Sequence, residues 1–432
     1  MGGPPVRALR NAPGVSAQEI SSQIEEICGY EDRIAGTDAE RRLANSLATQ
    51  LESDGRRAEV EPTWVQPQWA VVHLLHCLLA IVGSVVAADD PVVGFVIVLV
   101  AATSAYLDLS ARWYLLRRLL FRRASQNVHA SAAGAAEPEA VRVILCANLD
   151  APRTGAAYNP LPMRLLNFTS RRFPVISSPT RIWFWSIGFL LLPIGARMAG
   201  LEAPWLDAVQ LVPTLILIVA CFVLGEIALS PASPGANANA SGVAAVTEAL
   251  RLLDAEPLEN LRVEAALCGG GETTMQGMRS FVRSHRKELG KKSTRFVSFE
   301  SVGRGEPRFA ISGGAAVSLP LDPDLAELCA AVAIAHDSGD DSYDAEPIRD
   351  ARPSAALTAR AYGYPAIAIT CREGREALPA GHHTPADVPE HTDPAAIQRA
   401  AEFAVEAIRL LDRDLGRAAP TPAAEPAATS AG

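Results

Sequence analysis

Near the start of this 432-residue chain, apolar residues recur at helical spacing. Residues 16–28 predict an amphipathic helix, with Ser16 as N-cap and Glu19 completing a capping box. Residues 38–53 predict a second, with Leu43, Leu47 and Leu51 on one stripe before Asp54-Gly55 ends it. A short strand is expected over 58–61. The alternation then disappears. Residues 68–88 and 91–109 are almost continuously apolar, each about 20 residues long, the length that crosses a bilayer core as a helix. Asp89-Asp90-Pro91 makes a hairpin between them. A second apolar pair follows at 182–199 and 206–229, with Trp183 and Trp185 at one end, as suits a membrane interface. Four buried core helices are the alternative, since the third segment is the shortest and carries Arg197.

Beyond these segments, β-branched runs alternate with helical patterns. Strands are expected at 141–146, 261–267, 294–299 and 366–370, and helices at 241–253, 275–289, 321–335 and 394–411. Such alternation implies a largely parallel sheet with helices on both faces. The organisation is then an N-terminal part of the α/β domain (1–67), a transmembrane hairpin (68–109), a basic amphipathic segment with a strand region (110–181), a second transmembrane hairpin (182–229), the main α/β part (230–417) and an Ala/Pro-rich tail (418–432).

Composition supports a lipid-embedded part: hydrophobic residues make up 49% and charged residues 20%. Arginines orient it. Arg112, Arg117, Arg118, Arg122 and Arg123 follow the second apolar segment, and Arg171, Arg172 and Arg181 precede the third. By the positive-inside rule the hairpins point outward and the α/β domain faces the cytoplasm, which predicts a multi-pass cell-membrane protein. The basic stretch can also lie along anionic lipid. The N-terminus lacks the apolar core of a signal peptide. A net charge of -9 gives no general case for nucleic-acid binding. Seven cysteines without a CxxC pair read as buried small hydrophobes in a reducing compartment. His73 and His76 in the first apolar segment read as tolerated histidines, and His285 as part of a solvated basic helix face.

Several blocks together resemble peptidase family M28, the co-catalytic zinc aminopeptidases. They are the opening GYEDRIAGTDAERRLANSLATQLESDGRRAEVEP, then ILCANLDA, PGANANASGVAAVTEAL, ALCGGGETTMQGMRSF, RFVSFESVG, and YGYPAIAIT followed by GHHTPADVPEHTD. The resemblance implies an α/β fold with a mostly parallel mixed sheet sandwiched by helices, here interrupted by the two hairpins. It also implies zinc chemistry. Two zinc ions polarise a peptide carbonyl and acidify a shared water. A carboxylate must bridge them, His or carboxylate ligands must complete each shell, and a separate carboxylate must take the proton. In an open α/β sheet such groups gather at the carboxyl ends of the strands.

Carried over position by position, the resemblance puts Asn148 where a histidine ligand is expected and keeps Asp150 as its support. Ala238 stands at the bridging aspartate and Gly271 at the general base. Glu272, Glu300 and His383 remain as metal ligands. Each has a blander reading: Glu272 as a helix-start carboxylate, Glu300 as a strand-end charge beside an arginine, His383 as a backbone-bonded loop residue, Asp150 as a turn cap, with His382 solvated. Losing the base alone costs on the order of 10²–10⁴ in rate. Zinc is the implied cofactor, and these losses argue against a metal pair. The sequence therefore predicts a pseudopeptidase that binds a peptide or protein partner at the membrane. The alternatives are an active aminopeptidase using one zinc on Glu272, Glu300 and His383, and a subunit of a membrane complex.

Overall fold

The structure, a computed structural model, describes residues 16–132, 141–336, 342–374 and 376–418. The predicted leader over 1–14 lies outside these residues, as does the predicted tail except Ala418. The capping box forms as expected: α1 (Ala17–Gly29) starts where Ser16 N donates to Glu19 Oε2 at 2.7 Å and Glu19 N donates to Ser16 Oγ at 3.3 Å. α2 (Asp38–Ser53) buries Leu43, Leu47 and Leu51 along one stripe, and truncating one such leucine to alanine costs about 2–5 kcal/mol.

The chain continues through β1 (Arg57–Val65), α3 (Trp69–Val86), α4 (Pro91–Leu109), β2 (Arg123–Ser131), β3 (Val141–Asn148), α5 (Pro160–Ser170), α6 (Pro179–Met198) and α7 (Trp205–Leu229). There follow α8 (Ser241–Ala255), β4 (Leu261–Cys268), α9 (Gln276–Ser284), β5 (Thr294–Phe299), β6 (Glu306–Gly313) and β7 (Leu319–Pro320). The last elements are α10 (Pro323–Ala335), β8 (Glu346–Arg349), α11 (Ala355–Ala361), β9 (Ala366–Arg372) and α12 (Pro394–Ala418). All strands join one sheet in the order β1-β2-β4-β3-β5-β9-β6-β7, with β8 beside β6. Its centre, β4-β3-β5-β9, is parallel. Its margins are mostly antiparallel: β1 to β2, β2 to β4, β9 to β6 and β6 to β7. The sheet is thus mixed, and less parallel than expected. Strand β2 escaped the pattern because it buries Ser125 and Asn127 beside Val128 and Ala130, which breaks the apolar alternation.

Side chains of β3 alternate between two cores. Val143, Leu145 and Ala147 join the cluster under α1, α2, α8, α10 and α12. Ile144 and Cys146 join the one under α9 and α11. A strand covered on both faces must be apolar throughout, which is why its sequence reads as a continuous run.

A third core belongs to α3, α4, α6 and α7, which pack in a ring in the order α3-α4-α6-α7, with α3 also touching α6 across it. Ala80, Val98, Ile187 and Leu217 are buried inside it, and Ala315, Ala316 and Leu378 from loops of the α/β domain join the same cluster. Outside, Val82, Val96, Leu192, Val219 and Phe222 are exposed. Three of these helices, α3, α4 and α7, are long and apolar enough to cross a membrane. The expected four spanning helices in two hairpins are corrected to three on this criterion. Helix α6 falls short because Arg181, Ser186, Pro193 and Arg197 dilute its leucines and isoleucines.

The basic stretch is not an amphipathic helix. It makes a single 3-10 turn, Leu116–Leu119, and then enters β2. Arg117 is fully buried: its Nη2 and Nε donate to Asp108 at 2.5 and 2.8 Å, and Nη2 also donates to Thr274 Oγ1 at 2.8 Å. Helix α9 ends at Ser284, short of the predicted Leu289.

Candidate functional site

Strand β4 ends in a glycine turn whose shape is fixed from several sides. Gly270, Thr274 and Met275 have φ of 63°, 65° and 56°, a conformation costly for the two non-glycine residues and sustained by surrounding bonds. Glu40 Oε1 accepts from Gly270 N at 3.0 Å. Asp150 accepts from Gly271 N at 2.6 Å and Glu272 N at 3.0 Å. Asp150 is therefore the turn cap of its blander reading, and its carboxyl is pushed well up by burial and by Glu40 and Glu272. At the start of α9, a β-carbon on Gly277 would lie 1.8 Å from Gly269 O, so only glycine lets the helix close on the turn.

The turn opens onto a cavity of about 100 Å³. Asn148, Ala238, Gly271, Glu272, Glu300 and His383 all line it, so all the predicted positions except Asp150, which lies behind the wall, meet at one void. They are engaged with each other. His383 Nε2 lies 3.2 Å from Glu272 Oε2. Asn148 Nδ2 donates to Glu300 Oε2 at 3.3 Å, and Ala355 N donates to Glu300 Oε1 at 2.9 Å. Burial opposes the charge on Glu272, but His383 holds its carboxyl below the usual range. Burial pushes Glu300 up to about 7, with Arg352 pulling the other way.

Four blander expectations change. Glu272 does not start a helix, since α9 begins four residues later; it pairs with His383 instead. Glu300 makes hydrogen bonds to Asn148 and Ala355, while Arg352 is held by Asp350 at 2.7 Å and Ser301 Oγ at 3.0 Å. His382 is not solvated: its ring stacks on His383 at 3.9 Å, and burial keeps it well below the normal histidine range. Nor is His383 bonded through its ring to backbone; the Tyr158 ring packs on it at 4.7 Å.

Residues 236–240 form a π turn carrying Ala238 to the rim. Asp387 fastens it, accepting from Asn237 N at 2.7 Å and Ala238 N at 3.0 Å. Its spacing after His383, H-T-P-A-D, was the sequence signal for that role. Arg352, Tyr158 and Trp69 also line the void, and no local motif marks them. A second, apolar cavity of about 370 Å³ between α6 and α7 shares Trp69, Tyr158, Pro179 and Thr180 with the first. The polar site thus sits directly beneath the apolar helices.

A di-zinc pair does not fit this donor set. Ala238 brings no bridging atom and Asn148 is a neutral amide, which leaves Glu272, Glu300 and His383, too few donors to hold two ions side by side. Gly271 offers no base, and the space for one is filled: a β-carbon there would lie 2.2 Å from Asn148 Cγ.

Residues 220–408, somewhat under half of the chain, match the model for peptidase family M28. No curated protein matches the sequence. Among solved structures, a zinc aminopeptidase from Bacillus subtilis aligns at 12% identity with a TM-score of 0.52, covering 91% of this chain and 95% of that one. A Zn-dependent exopeptidase from Parabacteroides distasonis aligns at 12% identity and 0.51, covering 92% and 99%. A glutaminyl cyclase from Porphyromonas gingivalis aligns at 13% identity and 0.51, covering 92% and 98%. These likenesses establish the fold: a mixed sheet flanked by helices, of the kind used by zinc aminopeptidases and glutaminyl cyclases.

Proposed function

We propose that this chain is a membrane-anchored pseudopeptidase of the M28 type, whose pocket binds a peptide or protein partner without cleaving it. The observation that carries the reading is the mutual pairing of Glu272 with His383 and of Glu300 with Asn148, around Gly271 and Ala238. A hydrolase of this type needs a bridging carboxylate and a carboxylate base at the void, and Ala238 and Gly271 line it at those places instead. An amino terminus suits the same walls, because a protonated amine can take the place of His383 beside Glu272 and donate to Glu300. The apolar helices hold the pocket at the bilayer surface, with the arginine-rich loops and the α/β domain facing the cytoplasm.

The test uses the full chain in detergent, with aminoacyl and peptide substrates and added zinc or cobalt. No turnover is expected, while peptides bind and Glu272→Gln weakens that binding at least tenfold. Turnover that disappears in His383→Ala overturns the proposal and favours the single-zinc aminopeptidase reading on Glu272, Glu300 and His383.

A further inference from the structure

On the sheet face covered by α9, three side chains that play no part in the pocket converge. Glu61 comes from β1, His129 from β2, and His285 caps the end of α9. Glu61 Oε1 lies 2.7 Å from His285 Nε2 and 3.7 Å from His129 Nδ1, and one ligand atom from each residue lies within 4.8 Å of the others. Among the described residues no other group of three or more His, Cys, Asp or Glu side chains converges in this way. All three are part-buried, which corrects the solvated reading of His285.

The outer nitrogens decide what the cluster is for. His129 Nε2 is held by Glu264 at 2.9 Å, and Arg142 in turn sits 3.5 Å from Glu264. His285 Nδ1 is held by Glu288 at 3.3 Å. Each imidazole therefore has one nitrogen turned to a carboxylate and the other turned inward to a shared point. That is how metal-binding histidines are oriented: the outer carboxylate fixes the tautomer and makes the inner nitrogen a better donor. Phe281 packs against both rings, at 5.2 and 4.6 Å, and limits their rotation. Two imidazoles and one carboxylate suit a borderline divalent ion such as zinc far better than magnesium or calcium, which prefer all-oxygen shells.

We propose that Glu61, His129 and His285 form a binding site for one divalent transition-metal ion of the zinc class, separate from the degenerate pocket. The ion ties the end of α9 to the edge strand β1 and its neighbour β2. On binding it replaces the hydrogen bond between Glu61 and His285 and releases the proton they share, so affinity rises with pH.

The experiment takes the full chain in detergent, strips it with chelator, and titrates it with zinc or cobalt at pH 7.5. One equivalent is expected to bind, cobalt developing visible d–d bands and the thermal midpoint rising. His129→Gln with His285→Gln should abolish the bands and the thermal shift, leaving the metal-free midpoint near that of the unmutated protein. Glu264→Gln should weaken binding by about 10–100-fold. Glu272→Gln with His383→Ala should leave it unchanged, which separates this site from the pocket. Absence of stoichiometric binding, or binding that survives the histidine pair and falls with the pocket pair, overturns the proposal.

Discussion

A β-carbon at residue 271 and the amide of residue 148 compete for one volume, so these positions are linked. A glutamate at 271 therefore requires Asn148 to move. Glu300 illustrates the electrostatic side. Burial raises its carboxyl from 4.5 to about 7. The folded protein thus holds that proton more tightly than the unfolded chain, and stability from this group is full below about pH 4.5 and lost as pH rises through about 7. The loss is on the order of 2–4 kcal/mol. Glu300→Gln keeps the bond from Ala355 and removes the titration. Its thermal midpoint should gain on the parent between pH 5 and pH 8; an equal change in both proteins would sink this account. Glu272, Glu300 and His383 were readable in the sequence because each closes a recognisable strand-end block. Their pairing was not, because it depends on side-chain rotamers around Ala238 and Gly271 that no sequence spacing fixes. Arg352 and Tyr158 sit in loops whose composition says nothing of the cavity they face.

Between elements, Arg117 is the main joint. It links the last turn of α4, through Asp108, to the turn carrying Glu272, through Thr273 O at 3.3 Å and Thr274 Oγ1. Both ions of the pair are buried, and removing one partner strands the other charge, at a cost of about 3–5 kcal/mol. Arg117→Met should lower stability by that amount and speed amide exchange across 269–275, as read by mass spectrometry. Exchange that rises only near Asp108 would show the joint to be local. The sequence showed five arginines in a row of apolar residues and suggested contact with lipid. A residue can have a partner in a distant turn without any periodic signal, so Arg117 looked like its solvated neighbours. The apolar helices were easy to place because long runs of one character survive any packing, whereas β2 and β6 to β8 were missed because short marginal strands mix buried polar and apolar positions.

At the scale of the molecule, the sheet is sewn from three separate stretches of chain: β1 precedes α3, β2 and β3 lie between α4 and α6, and β4 to β9 follow α7. Strand β4 is hydrogen-bonded to β3 from Val141–Leu261 to Asn148–Cys268. If the apolar helices cross a bilayer, as proposed, this imposes parity on the crossings. Were α7 to traverse alone, β3 and β4 would stand on opposite shores of the bilayer and the ladder between them could not exist. A lone crossing by α7 is thereby excluded, and the two ends of the chain lie on one side. Tags fused to the two chain ends should therefore share one fate when sealed vesicles are treated with protease, both digested or both spared.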